Sequence, residues 1–334
     1  MKYWFFRKIK NLAYSVIGLD LLKTEKGIRF YWLLSKLKDF DHIQFINSDA
    51  IETHPNFEIA LYKKLLKNNL TATKSLLVCG DETPVVDYLL KKELEYSILT
   101  PYLNNPSNKL LQESFKFSLK YTQKNYRKLF HWVHENTQTL IVSDMDYKIP
   151  MERMNYAPDF IPNPINTQKI EFQNPEIKDK IVIFLGINRM NYIKKGIAYF
   201  EEALEIVQNR YPEKLEIIIS ENVPYAKYIQ SYNQAHIVLD MVYAFDQGYN
   251  ALEAMAKGKV VFTGASPEFE KQFQLTEKVA FDAIPNAEKI AENLSYLIEN
   301  PNEIIAIGKR ARQFVEREHD CVLIAEKYLH SWKK

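Results

Sequence analysis

Cationic side chains follow an apolar stretch in the second half of the chain, in an arrangement that suits binding of a diphosphate. The run Ile181–Leu185 is continuously apolar, as in a parallel strand that is buried on both faces. Arginine offers a planar fork of donors to phosphate oxygens, and lysine offers a compact charge. On these residues alone, a solvated basic loop explains the pattern equally well. The candidate binding residues of this segment are Gly186, Asn188, Arg189, Lys194 and Lys195.

A second segment, residues 240–258, combines an anion site with a carboxylate. The apolar run Ile237–Leu239 precedes it, and a Gly-Tyr-Asn turn leads into a short helix that stops at Gly258. The first turn of a helix has free N–H groups, and the helix dipole adds to their attraction for anions. Glu253 lies about one turn inside this helix, where its carboxylate can accept hydrogen bonds from a sugar diol, unless it is an ordinary exposed carboxylate. The candidate residues are Asp240, Gly248, Tyr249, Asn250 and Glu253.

The two segments together resemble the donor site of family-4-type retaining glycosyltransferases of the GT-B fold, the glycosyl transferases group 1. In that family a run ending Leu-Glu-Ala-Met-Ala-x-Gly precedes a Pro-Val or Val-Val strand, as it does at Leu252–Val261. The resemblance implies that Arg189 and Lys195 bind the donor diphosphate and act in catalysis. Their spacing of six, where five is commoner, leaves Lys194 as a competing assignment. It also implies that Glu253 holds the ribose hydroxyls.

By the same resemblance, the chain is a hexosyltransferase that uses a nucleotide-diphosphate sugar and retains the anomeric configuration. The acceptor is then a glycan or a lipid-linked sugar, as in polysaccharide biosynthesis. No metal or other cofactor is implied, because Arg189 and Lys195 neutralise the departing diphosphate in place of a cation. Two alternatives stay open: a non-catalytic GT-B relative that binds a glycan or a partner, and a nucleotide-sugar epimerase of the same fold.

One position departs from the family pattern. Its members carry a glutamate eight residues before the one that matches Glu253, and this place holds Phe245. Asp246 follows directly and is the candidate substitute for contact with the donor sugar. A sub-group instead has an aspartate thirteen residues and a glycine five residues before the glutamate, which match Asp240 and Gly248.

Further candidates lie on predicted loops. Glu221 follows the predicted strand 215–220, at the carboxyl end where ligands bind in open α/β sheets, although a plain turn explains it equally well. His54, in a polar loop, is the candidate for a catalytic hydrogen bond to the sugar or the acceptor, with a solvated histidine as the alternative. Asp144 and Asp146 have the spacing of a metal-binding pair but fall at the expected end of the first domain, so we expect no metal site.

These residues require an α/β frame. Strands and helices alternate from residue 181 onward, which predicts a doubly wound parallel sheet. The resemblance implies a GT-B fold of two Rossmann-like domains that face a cleft. The expected domains are 1–165 and 166–320, with a final helix 321–334 packed back on the first. The N-domain is expected to be abbreviated, because its usual Gly-rich loop is hard to find. Its expected strands are 41–47, 75–79, 98–100 and 139–143.

Composition agrees with a two-domain chain of 334 residues. Residues 1–40 hold nine cations against three acids, while the whole chain has a net charge of only +2. Near-neutral charge without a recognised motif argues against a nucleic-acid partner. Cys79 and Cys321 are far apart in sequence, so we expect a reducing cytoplasm. Residues 1–12 alternate cations with apolar groups, which predicts either a peripheral contact with the inner face of an anionic cytoplasmic membrane or a helix docked on its own domain.

Overall fold

A computed structural model describes residues 20–173 and 176–334, and two parallel sheets form its frame. The strands are β1 (His42–Ile46), β2 (Thr73–Val78), β3 (Thr139–Val142), β4 (Asp159–Phe160), β5 (Ile181–Ile187), β6 (Leu215–Glu221), β7 (Ile237–Leu239), β8 (Val260–Thr263) and β9 (Phe281–Asp282). The first sheet has the order β1-β2-β3-β4 and the second the order β6-β5-β7-β8-β9. This architecture confirms the predicted α/β fold with two Rossmann-like domains.

The first sheet is wound in chain order, which places its crossover helices on one face. Parallel connections are right-handed, so strands that succeed one another in a single direction carry their helices on the same side. Accordingly, the second helix packs on the sixth, and the third packs on the seventh. The helices of this half are α1 (Leu21–Leu33), α2 (Pro55–Lys67), α3 (Thr83–Leu89), α4 (Thr100–Asn104), α5 (Lys109–Leu119), α6 (Lys124–Glu135) and α7 (Met145–Arg153).

The other face of the first sheet is covered by the last helix of the chain, α15 (Cys321–Ser331). Its residue Ile324 is buried in an apolar cluster with Leu77, Ile141 and Ile161 of the sheet and its margin. Just after the helix, the indole N–H of Trp332 donates to Gln44 Oε1 over 2.9 Å. The carboxyl end of the chain is therefore part of the first domain's core.

The second sheet carries helices that return between its strands. The strand β7 occupies the apolar run Ile237–Leu239, and the helix of residues 249–256 ends just before the predicted stop at Gly258. The helices of this half are α8 (Tyr192–Lys195), α9 (Ile197–Arg210), α10 (Tyr225–Gln234), α11 (Tyr249–Ala256), α12 (Pro267–Gln272), α13 (Ala287–Glu299) and α14 (Pro301–Glu318).

One predicted strand was wrong. Residues 98–100 form a turn that enters α4, because Pro101 occupies the first helical turn, where its missing N–H costs nothing. Thr100 Oγ1 accepts the backbone N–H of Ser97 over 2.7 Å and closes that turn. The two-residue strands β4 and β9 were not predicted, since two residues cannot show a periodic pattern.

Throughout residues 20–173 and 176–334, we find no helix with the length and apolar character needed to cross a membrane.

Candidate functional site

The second sheet contains one topological switch point, between its neighbouring strands β5 and β7. The chain leaves β5 toward β6 on one side and returns to β7 on the other, which opens a crevice at the carboxyl ends of both strands. Open α/β sheets bind their ligands at such a point. Asn188 and Arg189 directly follow β5, and Asp240 directly follows β7. The two segments that the sequence singled out therefore meet at the same sheet edge.

Asp240 is the centre of this edge. Its carboxylate is buried, with 5% of the residue exposed. Lys195 Nζ donates to Asp240 Oδ1 over 2.8 Å, and Asn250 Nδ2 donates to the same oxygen over 3.0 Å. On the other side, Thr263 Oγ1 lies 3.5 Å from Asp240 Oδ2. One side chain thus connects α8, α11 and β8 at the end of β7.

The glycine after Lys195 lets two loops approach closely. Gly196 has φ +67°, a left-handed conformation that favours glycine, and a Cβ there would lie 2.8 Å from Val242 Cβ. The backbone N–H of Val242 donates to the carbonyl of Lys195 over 2.9 Å. The Lys-Gly pair in the sequence therefore has a physical reason, since a side chain at 196 would push Lys195 away from the end of β7.

Arg189 has a different acidic partner, Glu221 at the end of β6. Its Nε and Nη2 each donate to one carboxylate oxygen over 2.6 Å. This hydrogen-bonded pair raises the pKa of Arg189 and lowers the pKa of Glu221. Both side chains are partly exposed, and exposed ion pairs contribute little to stability. An incoming diphosphate can therefore compete with Glu221 for the guanidinium far more easily than with Asp240 for Lys195.

Lys194 points to the first domain rather than to Asp240. Its Nζ lies 3.4 Å from Ser118 Oγ and 5.3 Å from the ring centroid of Phe115. Ser118 in turn donates to Asp81 Oδ2 over 2.5 Å. The structure thus separates the two competing lysines: Lys195 lies at the switch point, and Lys194 contacts α5 of the first domain.

The N-terminus of α11 is open to solvent. Gly248 occupies its N-cap without a side-chain cap, and a Cβ at this glycine would meet nothing within 4 Å. Tyr249, the first helical residue, is 53% exposed. Glu253 is exposed on the same helix, and within the described ranges 20–173 and 176–334 its carboxylate accepts no hydrogen bond. A helix N-terminus without a side-chain cap and an exposed carboxylate with unused lone pairs therefore lie about one turn apart on α11.

Tyr228, which sequence reasoning missed, supports this helix from α10. Its hydroxyl donates to Asn250 Oδ1 over 3.0 Å, and the hydroxyl of Tyr232 donates to the carbonyl of Asn250 over 2.8 Å. The Tyr228 ring also lies beside Gly186, where a Cβ would be 2.8 Å from a ring carbon. The only sequence signal is the i, i+4 spacing of the two tyrosines, which places them on one helix face.

Asp246, the candidate substitute for the missing glutamate, lies in the contact between the domains. Its Oδ2 accepts the backbone N–H of Met145 over 3.2 Å, and its Oδ1 accepts that of Gln247 over 2.7 Å. Asp146 forms the reciprocal contact with the second domain: its Oδ2 accepts the backbone N–H of Phe245 over 3.1 Å and that of Asp246 over 3.3 Å. Burial raises the pKa of both carboxyls to about 7. The side chain of Asp246 is therefore engaged by backbone donors and is nearly inaccessible.

Phe245 completes the same contact. Its ring stacks on Tyr96 of the first domain, with the centroids 5.2 Å apart and the planes 7° from parallel. The Tyr96 hydroxyl donates to Asp282 Oδ2 over 3.3 Å. Where the family pattern places a carboxylate for the donor sugar, this chain thus places an aromatic ring that joins the two domains.

His54 is not brought to the switch point. It occupies the N-cap position of α2, and its Nε2 lies 3.2 Å from Thr24 Oγ1 on α1.

Asp144 and Asp146, the pair with metal-like spacing, lie near Asp246. Burial together with repulsion from the other two carboxylates raises the pKa of Asp144. In the described part of the chain, no group of three or more His, Cys, Asp or Glu side chains has a geometry that could hold a metal ion.

Comparisons with known proteins find a family model and solved structures that are similar to this chain. Residues 193–330 match the family model described as glycosyl transferase-like, which covers α11, Glu253 and Asp240. A comparison with curated protein sequences found no match.

Solved structures of GT-B glycosyltransferases share the fold over most of the chain. Sucrose-phosphate synthase from Thermosynechococcus elongatus is 15% identical, with a TM-score of 0.56 over 88% of this chain and 73% of that one. HepE from Anabaena, in complex with UDP and glucose, is 11% identical, with a TM-score of 0.57 over 91% and 81%. A TarM variant from S. aureus, in complex with fondaparinux, alpha-GlcNAc-glycerol and UDP, is 14% identical, with a TM-score of 0.58 over 91% and 58%. At these identities the likeness shows the GT-B fold.

Proposed function

We propose that this chain is a glycosyltransferase that moves a hexose-type sugar from a nucleotide-diphosphate sugar to a glycan or lipid-linked acceptor, with retention of the anomeric configuration. The observation that carries the proposal is that Arg189 and the Lys195–Asp240 pair lie at the switch point of the second sheet, with Asn250 of α11, the helix of Glu253, bonded to the same Asp240 carboxylate. The neighbours solved with UDP or UDP-glucose support a nucleotide-sugar donor.

The proposed chemistry follows from where negative charge grows. Cleavage of the bond between the sugar and the diphosphate leaves charge on the leaving oxygens, and fixed donors that face this charge lower the barrier. Lys195 is already held in place, and Arg189 leaves Glu221 to form a two-pronged contact with the phosphates. The open first turn of α11 adds backbone donors, and Glu253 accepts hydrogen bonds from the ribose hydroxyls. In this proposal the two cations do the work of a metal ion.

Two expectations about the surroundings stay predictions. Residues 1–12, expected on an anionic membrane surface or on their own domain, lie outside the described residues. The cytoplasmic location, peripheral on the inner face of the membrane in the first case, and the class of acceptor are proposed with the function and need their own measurement.

The function is tested by donor turnover. Purified protein is incubated with UDP-, GDP- and ADP-sugars, with and without EDTA, and nucleoside diphosphate release and thermal stabilisation are measured. We expect turnover of one donor series, unchanged by EDTA and lost in the Arg189→Ala and Glu253→Gln variants. Arg29→Ala is the matched control, because Arg29 forms a comparable exposed pair with Glu25 on α1. Absence of both turnover and stabilisation with every nucleotide would show that the proposed site is not a donor site.

A second candidate, a non-catalytic GT-B relative, is favoured by one observation. Phe245 and Asp246 are used for the domain contact and supply no free carboxylate to a sugar. This candidate predicts thermal stabilisation by a nucleotide or a glycan without any release of nucleoside diphosphate. An epimerase, in contrast, would convert the donor into its isomer without an acceptor, and chromatography of the recovered nucleotide sugar distinguishes the three outcomes.

A further inference from the structure

We propose that Asp240 is a positioning residue, which holds Lys195 and the first turn of α11 in place for the donor diphosphate without contacting the donor itself. The inference deepens the proposed function and rests on it for the identity of the ligand. It assigns different roles to two carboxylates, Asp240 and Glu221, that both pair with a cation at the same sheet edge.

The geometry of Asp240 leaves little for a ligand to use. Its Oδ1 already accepts Lys195 and Asn250, and Thr263 Oγ1 lies on the side of Oδ2. Only 5% of Asp240 is exposed to solvent. A ligand that approached it would have to displace protein donors from a site with almost no solvent access, and a diphosphate would also be repelled by its charge.

The two groups that Asp240 holds, Lys195 and the first turn of α11, are partly exposed to solvent. Lys195 keeps 30% of its side chain exposed, so solvent reaches part of a side chain whose ammonium is held by Asp240. Asn250 lies in the first turn of α11 and is restrained three times, by Asp240, by Tyr228 and by Tyr232. Through these contacts Asp240 ties the lysine to the helix N-terminus, and the two anion-binding groups keep a constant separation. Pre-ordered donors bind more tightly, because their side-chain entropy is lost before the ligand arrives.

Glu221 is the natural comparison. It is a carboxylate of the same charge beside a cation of the same site, but the exposed fractions of Arg189 and Glu221 are 52% and 36%. No comparable network of buried donors surrounds it among the described residues, where its other side-chain donor is Asn222 Nδ2 at 3.4 Å. It restrains Arg189 only while the site is empty. Removal of Glu221 should therefore leave Arg189 free to bind the diphosphate. Removal of Asp240 should instead leave Lys195 without the contact that keeps it ordered.

The experiment compares two variants that remove the same charge. Affinity for UDP and for inorganic pyrophosphate is measured by calorimetry for the wild type, Asp240→Ala and Glu221→Ala. We expect Asp240→Ala to weaken UDP binding roughly ten- to a hundredfold, the range set by charged hydrogen bonds. Glu221→Ala should strengthen it by roughly threefold, because an exposed pair of this kind is weak and its loss leaves the Arg189 guanidinium free for the phosphates. If Asp240→Ala tightened binding as Glu221→Ala does, Asp240 would act only as a repulsive charge and the proposal would be wrong.

A second measurement needs no nucleotide. The rate at which Lys195 is acetylated by an amine-reactive ester is followed by mass spectrometry of its peptide, with Lys194 as the reference in the same sample. We expect Lys195 to react several-fold faster in Asp240→Ala than in the wild type, relative to Lys194. An unchanged ratio would refute the positioning role even if no nucleotide bound, which separates this failure from failure of the proposed function.

Tyr228→Phe keeps the proposal testable should Asp240→Ala not fold. It removes one hydroxyl, which donates to Asn250, and leaves the ring beside Gly186. We expect an unchanged melting temperature with UDP affinity lowered by roughly three- to tenfold, as for the loss of one hydrogen bond. Equal UDP affinity in this variant and the wild type would show that the restraint on Asn250 does not reach the ligand.

Discussion

The carboxyl of Asp246 makes a quantitative prediction about the pH dependence of stability. Burial raises its pKa from 3.8 to about 7, while two backbone N–H groups lower it again without reversing the shift. An acid with a raised pKa stabilises the folded state fully at a pH below its unfolded value. That contribution is lost as the pH rises from 3.8 toward 7, because only the unfolded chain releases the proton easily.

The size of the effect follows from the shift. Each pKa unit corresponds to about 1.4 kcal/mol, so a shift of about three units is worth about 4 kcal/mol in total. Between pH 5 and pH 8, Asp246 alone should lower the free energy of unfolding by about 3 kcal/mol. In Asp246→Asn this decline is absent. The buried neighbours Asp144 and Asp146 change in the same direction, because the charge of Asp246 contributes to their raised pKa values.

The amide itself adds a cost that does not depend on pH. One oxygen of Asp246 faces the N–H of Met145 and the other faces that of Gln247, so an asparagine must turn its NH₂ toward one of these donors. A buried donor without a partner costs about 1–3 kcal/mol. Asp246→Asn should therefore be less stable than the wild type at pH 5 and should approach or exceed it at pH 8.

The assay is urea unfolding followed by tryptophan fluorescence at pH 5, 6, 7 and 8. Glu292→Gln is the matched control, because Glu292 is an exposed carboxylate on α13 and should leave the pH slope unchanged. The difference between wild type and Asp246→Asn should change by about 3 kcal/mol across this range. Parallel curves for the two proteins would refute the assignment of a buried, proton-binding Asp246 at the domain contact.

Two further substitutions test how the site is supported. Gly196→Ala should destabilise the protein by about 1–3 kcal/mol and weaken UDP binding, because φ +67° and the contact with Val242 both disfavour a Cβ; Gly248→Ala, with open space around it, should change the urea midpoint much less. Trp332→Ala should cost about 2–3 kcal/mol in unfolding free energy, since its ring stacks on His42 at 4.4 Å and its N–H is bonded to Gln44. Unchanged urea midpoints in these variants would contradict the contacts described for Gly196 and for α15.

The donor-side segment could be predicted because its signals are local. The strand β7, the helix α11 and the strand β8 follow one another within residues 237–263, so periodicity and glycine placement define them together. Arg189 and Lys195 became candidates because they follow a predicted parallel strand, where ligands bind, but the family resemblance was needed to prefer phosphate binding over a solvated basic loop. The choice between Lys194 and Lys195 could not be made in this way, since adjacent residues differ only in direction, and the structure sets that direction through Asp240.

The first domain was harder to predict, because its structure depends on contacts between residues that are far apart in the sequence. The strand predicted at 98–100 was a short apolar run next to a proline, and such a run does not distinguish a strand from a helix entry. Residue Ile324 belongs to the core of a sheet that ends more than a hundred residues earlier, which no local pattern reveals. The place of Asp246 was missed for the same reason, because its partner Met145 lies 101 positions away in the chain.

Asp240 and Glu221 show what a sequence cannot decide about the residues that it singles out. Both are acids at the end of a parallel strand, and both lie beside a cation of the same site. Burial alone separates them: one carboxylate is enclosed by three side-chain donors, and the other shares its oxygens with solvent. A buried ion pair is costly to break, because the charge that remains is not solvated by water. An exposed pair exchanges one partner for another at little cost, because water solvates both charges. The same pair of residue types therefore makes a fixed support in one case and a displaceable one in the other, and only the packing around each strand end decides which.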